Sequence, residues 1–190
     1  MWRKDDLRHP ADVIQTPTRY VAGMTDHIGS WERRLAALWA ALDELDEQTF
    51  LARMDHLAGE LGPDDPVALF ERAGARDSTG HSDLAVPLYR RALALGLSGE
   101  RRRRAVIQLA SSLRNLGEVK ESVALLSAER AAGPDHLDDA VSAFLALALA
   151  DAGREREAVS VALLALARHL PRYQRSLTHY ARDLAGPSSP

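Results

Sequence analysis

The chain of 190 residues contains no cysteine, which excludes structural disulfides, thiolate catalysis and zinc sites built on cysteine. Only 5% of its residues are aromatic, and 24 Lys and Arg nearly balance 27 Asp and Glu, leaving a net charge of -3. This composition lacks the basic stripe with interleaved aromatics that nucleic-acid proteins show, and it offers no field that attracts anionic membranes. A chain without cysteine fits a reducing cytoplasm, which we take as the expected location.

Long apolar runs are also absent. The longest extends from Val141 to Ala150, is interrupted by Ser142, and is too short to span a bilayer. The first 30 residues hold no apolar stretch of the kind found in secretory signals. We therefore expect no membrane partner.

Catalytic and metal-binding motifs are missing as well. The sequence holds no GxSxG, no glycine-rich phosphate loop and no HExxH, and no two histidines are spaced i, i+4. His169 and His179 fall on neighbouring predicted helices, but two histidines without a carboxylate make a poor metal site. We expect no enzymatic activity, no cofactor and no metal.

What the sequence does contain is a period. Gly80, Gly117 and Gly153 lie 37 and 36 residues apart. A repeat of this length indicates stacked helix-turn-helix units. A small residue follows each glycine after five residues: Ala85, Ser122 and Ala158. A leucine followed by alanine precedes the second and third glycines, at Leu109-Ala110 and Leu145-Ala146, and Arg72-Ala73 is a weaker match before the first.

Apolar spacing predicts helices along most of the chain. A stripe from Trp31 to Leu45, begun by Ser30 as N-cap, and a second from Phe50 to Leu61 predict an N-terminal hairpin. We interpret residues 1–30 as a flexible arm and 186–190 as a disordered tail. Further helices are predicted at about 66–78, 82–96, 100–115, 118–131, 136–151, 155–169 and 172–185.

The middle unit shows the pattern most fully: Val106, Leu109-Ala110, Leu113, Gly117, Ser122, Leu126 and Pro134. This pattern resembles the tetratricopeptide repeat, and the Ala- and Arg-rich style resembles bacterial, actinobacterial-like members of that family. The resemblance implies an all-α fold, an α-α superhelix of antiparallel helix pairs with a C-terminal capping helix. The implied organisation is a degenerate hairpin at 31–65, repeats at about 66–102, 103–138 and 139–171, and a cap at 172–185.

Two features depart from the pattern or stand outside it. Arg72 and Arg76 occupy slots that are usually apolar, so that face is either less buried or meets acidic residues. The basic run Arg101 to Arg104 spreads around all sides of a helix, which favours a solvated helix start over a phosphate site.

The resemblance also implies a binding groove, because the first helix of each pair lines the concave face in this family. Arg114 and Asn115 would form its polar centre and hydrogen-bond a peptide carboxylate or backbone, unless Arg114 simply pairs with Asp77 or Asp151. The register assigns these residues to the groove: Phe70, Asp77, Arg104, Ile107, Ser111, Arg114, Asn115, Ala143, Leu147 and Asp151.

Two functional hypotheses follow. The first is a non-enzymatic scaffold or adaptor that binds an unidentified protein or peptide in the groove. The second is a regulatory or assembly module that forms homodimers through the N-terminal hairpin, where Trp31 and the leucine stripe would supply the surface.

Overall fold

The computed structural model describes the backbone of residues 18–186 and the side chains of residues 29–186. Residues 1–17 of the predicted arm and 187–190 of the predicted tail lie outside this range. The described chain divides into two units, one ending at Leu42 and one beginning at Asp43. Within residues 18–186 there are nine α-helices and one 3-10 helix: α1 Thr18–Ala40, 3-10 Leu42–Glu44, α2 Glu47–Gly59, α3 Pro66–Ser78, α4 Ser82–Ala94, α5 Gly99–Asn115, α6 Val119–Ala131, α7 Asp138–Asp151, α8 Glu155–Ala167 and α9 Gln174–Leu184.

The first unit corrects the predicted arm. Helix α1 begins at Thr18 and continues through Ser30, so Ser30 is not an N-cap and residues 18–30 are helical. The segment contains no proline, and its two glycines, Gly23 and Gly29, disfavour a helix by only about 1 kcal/mol each. Trp31 and Leu35, further along the helix, are buried.

The second unit is a solenoid of helix pairs. From α2 to α9, each helix packs against the next in sequence, and α5 also packs against both α3 and α7. The first helices of successive pairs therefore lie side by side, while α9 closes the series against α8. This arrangement confirms the predicted all-α fold. Helix α5 begins at Gly99, four residues before the predicted repeat boundary at 103.

The repeating small residues mark places where paired helices touch. Ala110 and Ser122 are fully buried, and the Ser122 hydroxyl donates to the Ala110 carbonyl at 2.7 Å. Side chains larger than these would force α5 and α6 apart, because protein interiors are close-packed. Gly117 has φ 85°, and the backbone amide of Glu118 donates to the Leu113 carbonyl at 2.9 Å. This hydrogen bond ends helix α5 and turns the chain.

The arginines that depart from the repeat pattern meet an acidic residue. Arg72 Nε lies 2.8 Å from Asp55 Oδ1, and Arg76 Nη2 lies 3.0 Å from Asp55 Oδ2. Burial alone would raise the pKa of Asp55, but the hydrogen bonds from the two guanidinium groups outweigh it, so the pKa lies below its usual value. Of the two alternatives for these arginines, the contact with acidic residues is therefore confirmed.

Candidate peptide-binding surface

Three members of the basic run at the start of α5 form ion pairs, and the interpretation of the run as a solvated helix start is wrong for Arg103, which is buried. Arg103 is buried, and its guanidinium lies 2.7 Å from Asp138, 3.1 Å from Asp135 and 3.4 Å from Glu129. Arg102 lies 2.6 Å from the same Glu129, which is itself buried. Because a buried charge needs a partner, these residues join α5 to the end of α6 and the start of α7.

Arg104, the last of the run, has a different role. Its guanidinium lies over the ring of Phe70, 5.3 Å from the centroid, in a cation–π arrangement. Phe70 also packs against Tyr89, with 6.2 Å between ring centroids. The contact brings the exposed side of α5 next to α3.

Two predicted groove residues, Phe70 and Ile107, are buried and cannot line the groove. Phe70 is 2% exposed and Ile107 is 5% exposed. The helical register assigns both residues to the groove, but α5 packs against both α3 and α7, and the side chains at those contacts are covered.

Asp77 is a structural residue rather than a free groove acceptor. Its Oδ1 accepts from the hydroxyl of Ser112 at 2.7 Å and from that of Ser82 at 3.2 Å. These bonds connect α3 to the next pair and to its own partner helix. Burial, and then the charges of Asp77 and Glu71, raise the pKa of nearby Tyr89.

Two of the remaining predicted residues, Arg114 and Asp151, meet across the helices. Arg114 Nε lies 3.6 Å from Asp151 Oδ2, so the C-terminal ends of α5 and α7 present their outer faces side by side. The pairing of Arg114 with Asp151 is therefore the alternative that occurs. We define the α5–α7 surface by the residues on these two faces: Arg104, Gln108, Ser111, Arg114, Asn115, Ala143, Leu147, Ala150 and Asp151.

Gln108 also lies on this surface, although it is not among the predicted groove residues. It lies four residues after Arg104 and three before Ser111, so continuing the helical stripe would have found it. Its side-chain oxygen is shielded from solvent and has no hydrogen-bond partner among the described residues. Arg114 Nε is also shielded from solvent and has no hydrogen-bond partner among these residues, because the carboxylate of Asp151, at 3.6 Å, is too distant for a hydrogen bond.

Other kinds of site find little support in the described residues. No group of three or more His, Asp or Glu side chains suited to a metal ion occurs among them. His169 lies 2.7 Å from Asp139, and His179 lies 3.5 Å from Asp183. None of the helices between residues 18 and 186 is long and apolar enough to cross a bilayer.

Helix pairs stacked so that their first helices adjoin define this part of the protein as an α-solenoid. A family model described as tetratrico peptide repeat matches residues 66–184, more than half of the chain, and the chain belongs to that family. The matched range includes α3 to α9 but not residues 31–65, so the degenerate hairpin stays a prediction. The comparisons with curated proteins and with solved structures gave no match. Tetratricopeptide domains are generally non-enzymatic modules for protein interaction.

Proposed function

We propose that this protein is a non-enzymatic, cytoplasmic scaffold that binds a partner protein by laying an extended peptide or a helix along the α5–α7 surface. The observation that supports this most directly is the exposed Leu147, which lies one helical turn before Asp151 and so beside the solvent-open ion pair of Asp151 with Arg114. A peptide supplies apolar side chains that can contact Leu147 and backbone carbonyls that can accept from the Arg114 guanidinium.

The two halves of the surface would recognise different parts of a peptide. The α5 half is polar, and the α7 half offers Ala143 and Leu147, whose side chain is 48% exposed. The pair between Arg114 and Asp151 is open to solvent on the Asp151 side, and such pairs stabilise a fold by at most about 1 kcal/mol. A ligand carboxylate or carbonyl can therefore take the place of Asp151 at little cost.

The experiment begins by selecting peptides from a random library on the full chain. The affinity of each selected peptide is then measured for the wild type, Leu147→Glu and Leu166→Glu. Leu166 is the matched control, because it is 49% exposed and lies on α8, the second helix of the same pair. We expect Leu147→Glu to weaken binding by about tenfold or more and Leu166→Glu to change it little.

A second pair of variants tests the polar half. Arg114→Ala should weaken the same peptides, whereas Arg156→Ala, on an exposed position of α8, should not. The proposal is wrong if the selected peptides bind all four variants as tightly as the wild type, or if the α8 variants lose more affinity. Circular dichroism melting of each variant shows whether a loss of binding reflects unfolding.

Homodimerisation through the N-terminal hairpin is the weaker hypothesis. Trp31 and Leu35, which would form much of the dimer surface, are buried in a single chain. We therefore expect sedimentation of the wild type and of Leu38→Glu to give the same monomeric mass. A dimer that dissociates on that substitution would favour this hypothesis over the scaffold.

A further inference from the structure

The last helix carries a surface that the α5–α7 groove does not use. Helix α9 packs against α8 and buries Ala181, with Leu177 and Leu184 half-buried beside it. Its opposite face and the loop before it are exposed to solvent. We define the α9 surface by these exposed residues: Arg172, Tyr173, Arg175, His179, Tyr180, Arg182 and Asp183.

The arginines of the α9 surface lack ion-pair partners among the described residues. Residues 172–186 carry three arginines and one aspartate, a net charge of +2 in a chain whose net charge is -3. The aspartate, Asp183, lies 3.5 Å from His179. Within residues 43–171, by contrast, most arginines form ion pairs. The remaining arginines of this range lie on different helices, so no two of them are on the same helix. The paired ones are Arg72, Arg76, Arg90, Arg91, Arg101, Arg102, Arg103, Arg114, Arg154 and Arg168.

Two tyrosines lie beside these arginines. Tyr173 is 78% exposed and Tyr180 is 65% exposed. Tyr173 also has φ 68°, a left-handed conformation that side chains other than glycine rarely adopt. Tyr180 also lines an open depression of about 920 Å³, together with Arg175, His179 and Arg182. Tyrosine and arginine are the residue types enriched among those that dominate binding energy at protein interfaces.

We propose that the α9 surface is a second docking site, which binds an acidic peptide segment of a partner protein. Carboxylates of the segment pair with Arg175 and Arg182, and its apolar side chains lie against Tyr173 and Tyr180. Charge complementarity identifies the occupant, because the surface has a net charge of +2 on an otherwise acidic chain, and its arginines have no ion-pair partner in the part of the chain that the structure describes.

Other anionic partners fit this surface less well. Proteins that bind nucleic acid strongly neutralise about six to ten phosphates, whereas this surface offers three arginines on a molecule with net negative charge. An amphipathic helix binds a membrane with its apolar face, and the apolar face of α9 is turned toward α8. A peptide needs neither a long basic track nor a free apolar face.

The test uses the full chain and a peptide of Glu-Glu-Leu repeats carrying a neutral fluorophore. Fluorescence anisotropy compares the wild type with Arg175→Gln/Arg182→Gln and with the matched control Arg130→Gln/Arg156→Gln. The control removes the same charge from exposed arginines that lack ion pairs, on α6 and α8. We expect the α9 double variant to bind about tenfold more weakly, the control to change less than about twofold, and added salt to weaken the wild type.

Further variants separate this site from the groove and from simple charge attraction. Leu147→Ser should leave binding of the acidic peptide unchanged, so the two sites can fail independently. Tyr180→Ala should weaken binding, and Tyr173→Gly should weaken it without lowering the melting temperature, because glycine relieves the left-handed backbone.

Four results would overturn the proposal. The first is an equal loss of affinity for the Glu-Glu-Leu peptide in the two arginine double variants, and the second is equally tight binding of a Gln-Gln-Leu peptide by the wild type. The third is an unchanged affinity of Tyr180→Ala for the Glu-Glu-Leu peptide. The fourth is binding of single-stranded DNA or phosphatidylserine vesicles through the same arginines that is tighter than binding of the peptide.

Discussion

Helices α5 and α7 occupy equivalent places in successive repeats, yet their chemistry differs. Residues that face the neighbouring helices are the same type at positions 36 residues apart in the two helices: Leu109 of α5 and Leu145 of α7 are both buried leucines. Positions that face outward differ, because Ser111 corresponds to the exposed Leu147. The repeat therefore constrains the packed positions of a helix and leaves its exposed positions free to acquire binding chemistry.

The contrast is strongest at the starts of the two helices. Arg103 of α5 is buried among carboxylates, whereas the equivalent Asp139 of α7 is partly exposed and lies near Arg168 and His169. Helix α5 adds buried ion pairs to apolar contacts such as those of Leu109 and Leu113, whereas α7 is held mainly by the apolar contacts of Val141, Leu145 and Leu149.

The largest predicted effect comes from removing the buried charge of α5. Arg103→Met should lower the free energy of unfolding by about 3 kcal/mol, because it leaves buried Glu129 with fewer partners. Asp139→Asn, at the equivalent position of α7, should lower it by less than about 1 kcal/mol. Urea unfolding of both variants measures the difference, and equal losses would remove the contrast between the two helices.

A smaller effect is expected where α5 carries serine and α7 carries alanine. Ser112→Ala gives α5 the residue found at Ala148 and removes the hydroxyl that donates to Asp77. We expect a loss of about 1 kcal/mol in thermal or urea unfolding. Ser111→Ala, on the neighbouring half-buried position, serves as control and should change stability by less than about 0.5 kcal/mol. If both variants lose the same stability, the hydrogen bond from Ser112 to Asp77 does not stabilise the fold.

Outside these two helices, the ion pairs that Asp55 of α2 forms with Arg72 and Arg76 of α3 predict a dependence of stability on pH. The pKa of Asp55 is lowered in the folded protein, so its stabilising effect is present above the unfolded value of 3.8 and is lost as pH falls through the folded value. The wild type should therefore lose stability in acid more steeply than Asp55→Asn. The difference should be at most about 1 kcal/mol, because Asp55 is partly exposed. If the stability of the wild type and that of Asp55→Asn fall in parallel as the pH is lowered, Asp55 does not have a lowered pKa in the folded protein.

The smallest effect on stability is expected from exchanging the exposed residues. The double variant Ser111→Leu/Leu147→Ser should unfold within about 0.5 kcal/mol of the wild type. It should nevertheless select different peptides from a library, since the polar and apolar halves of the α5–α7 surface change places. Selection of the same peptides with the same affinity would show that these positions do not contribute to recognition.

Much of the fold could be predicted because its signals are local. Gly117 and Gly153 end helices, apolar spacing identifies the buried side, and the observed bounds of α3 to α9 differ from the predicted ones by only a few residues. Helix α1 was predicted to begin at Ser30 because its earlier residues show no apolar stripe, yet the backbone is helical from Thr18. Stripe patterns detect amphipathic helices and miss helical segments that lack them.

The candidate site could be predicted only in outline. Helical register placed Arg114 and Leu147 on the α5–α7 surface, but it also assigned Phe70 and Ile107 there, although neighbouring helices bury them. Register describes one helix at a time, and burial depends on the helices packed around it.

The sequence by itself determined the family, the positions of the turns and the sides on which each helix packs, because these follow from periodicity and from residues close in the chain. Only the tertiary structure decided that Arg103 is buried, that Asp77 binds Ser112, and that Gln108 and Arg114 each leave an atom unsatisfied. The partners of Arg103 and Asp77 include residues 35 positions away, about one repeat along the chain. In a solenoid each repeat contacts its neighbours, so side chains one period apart meet only after the helices have stacked.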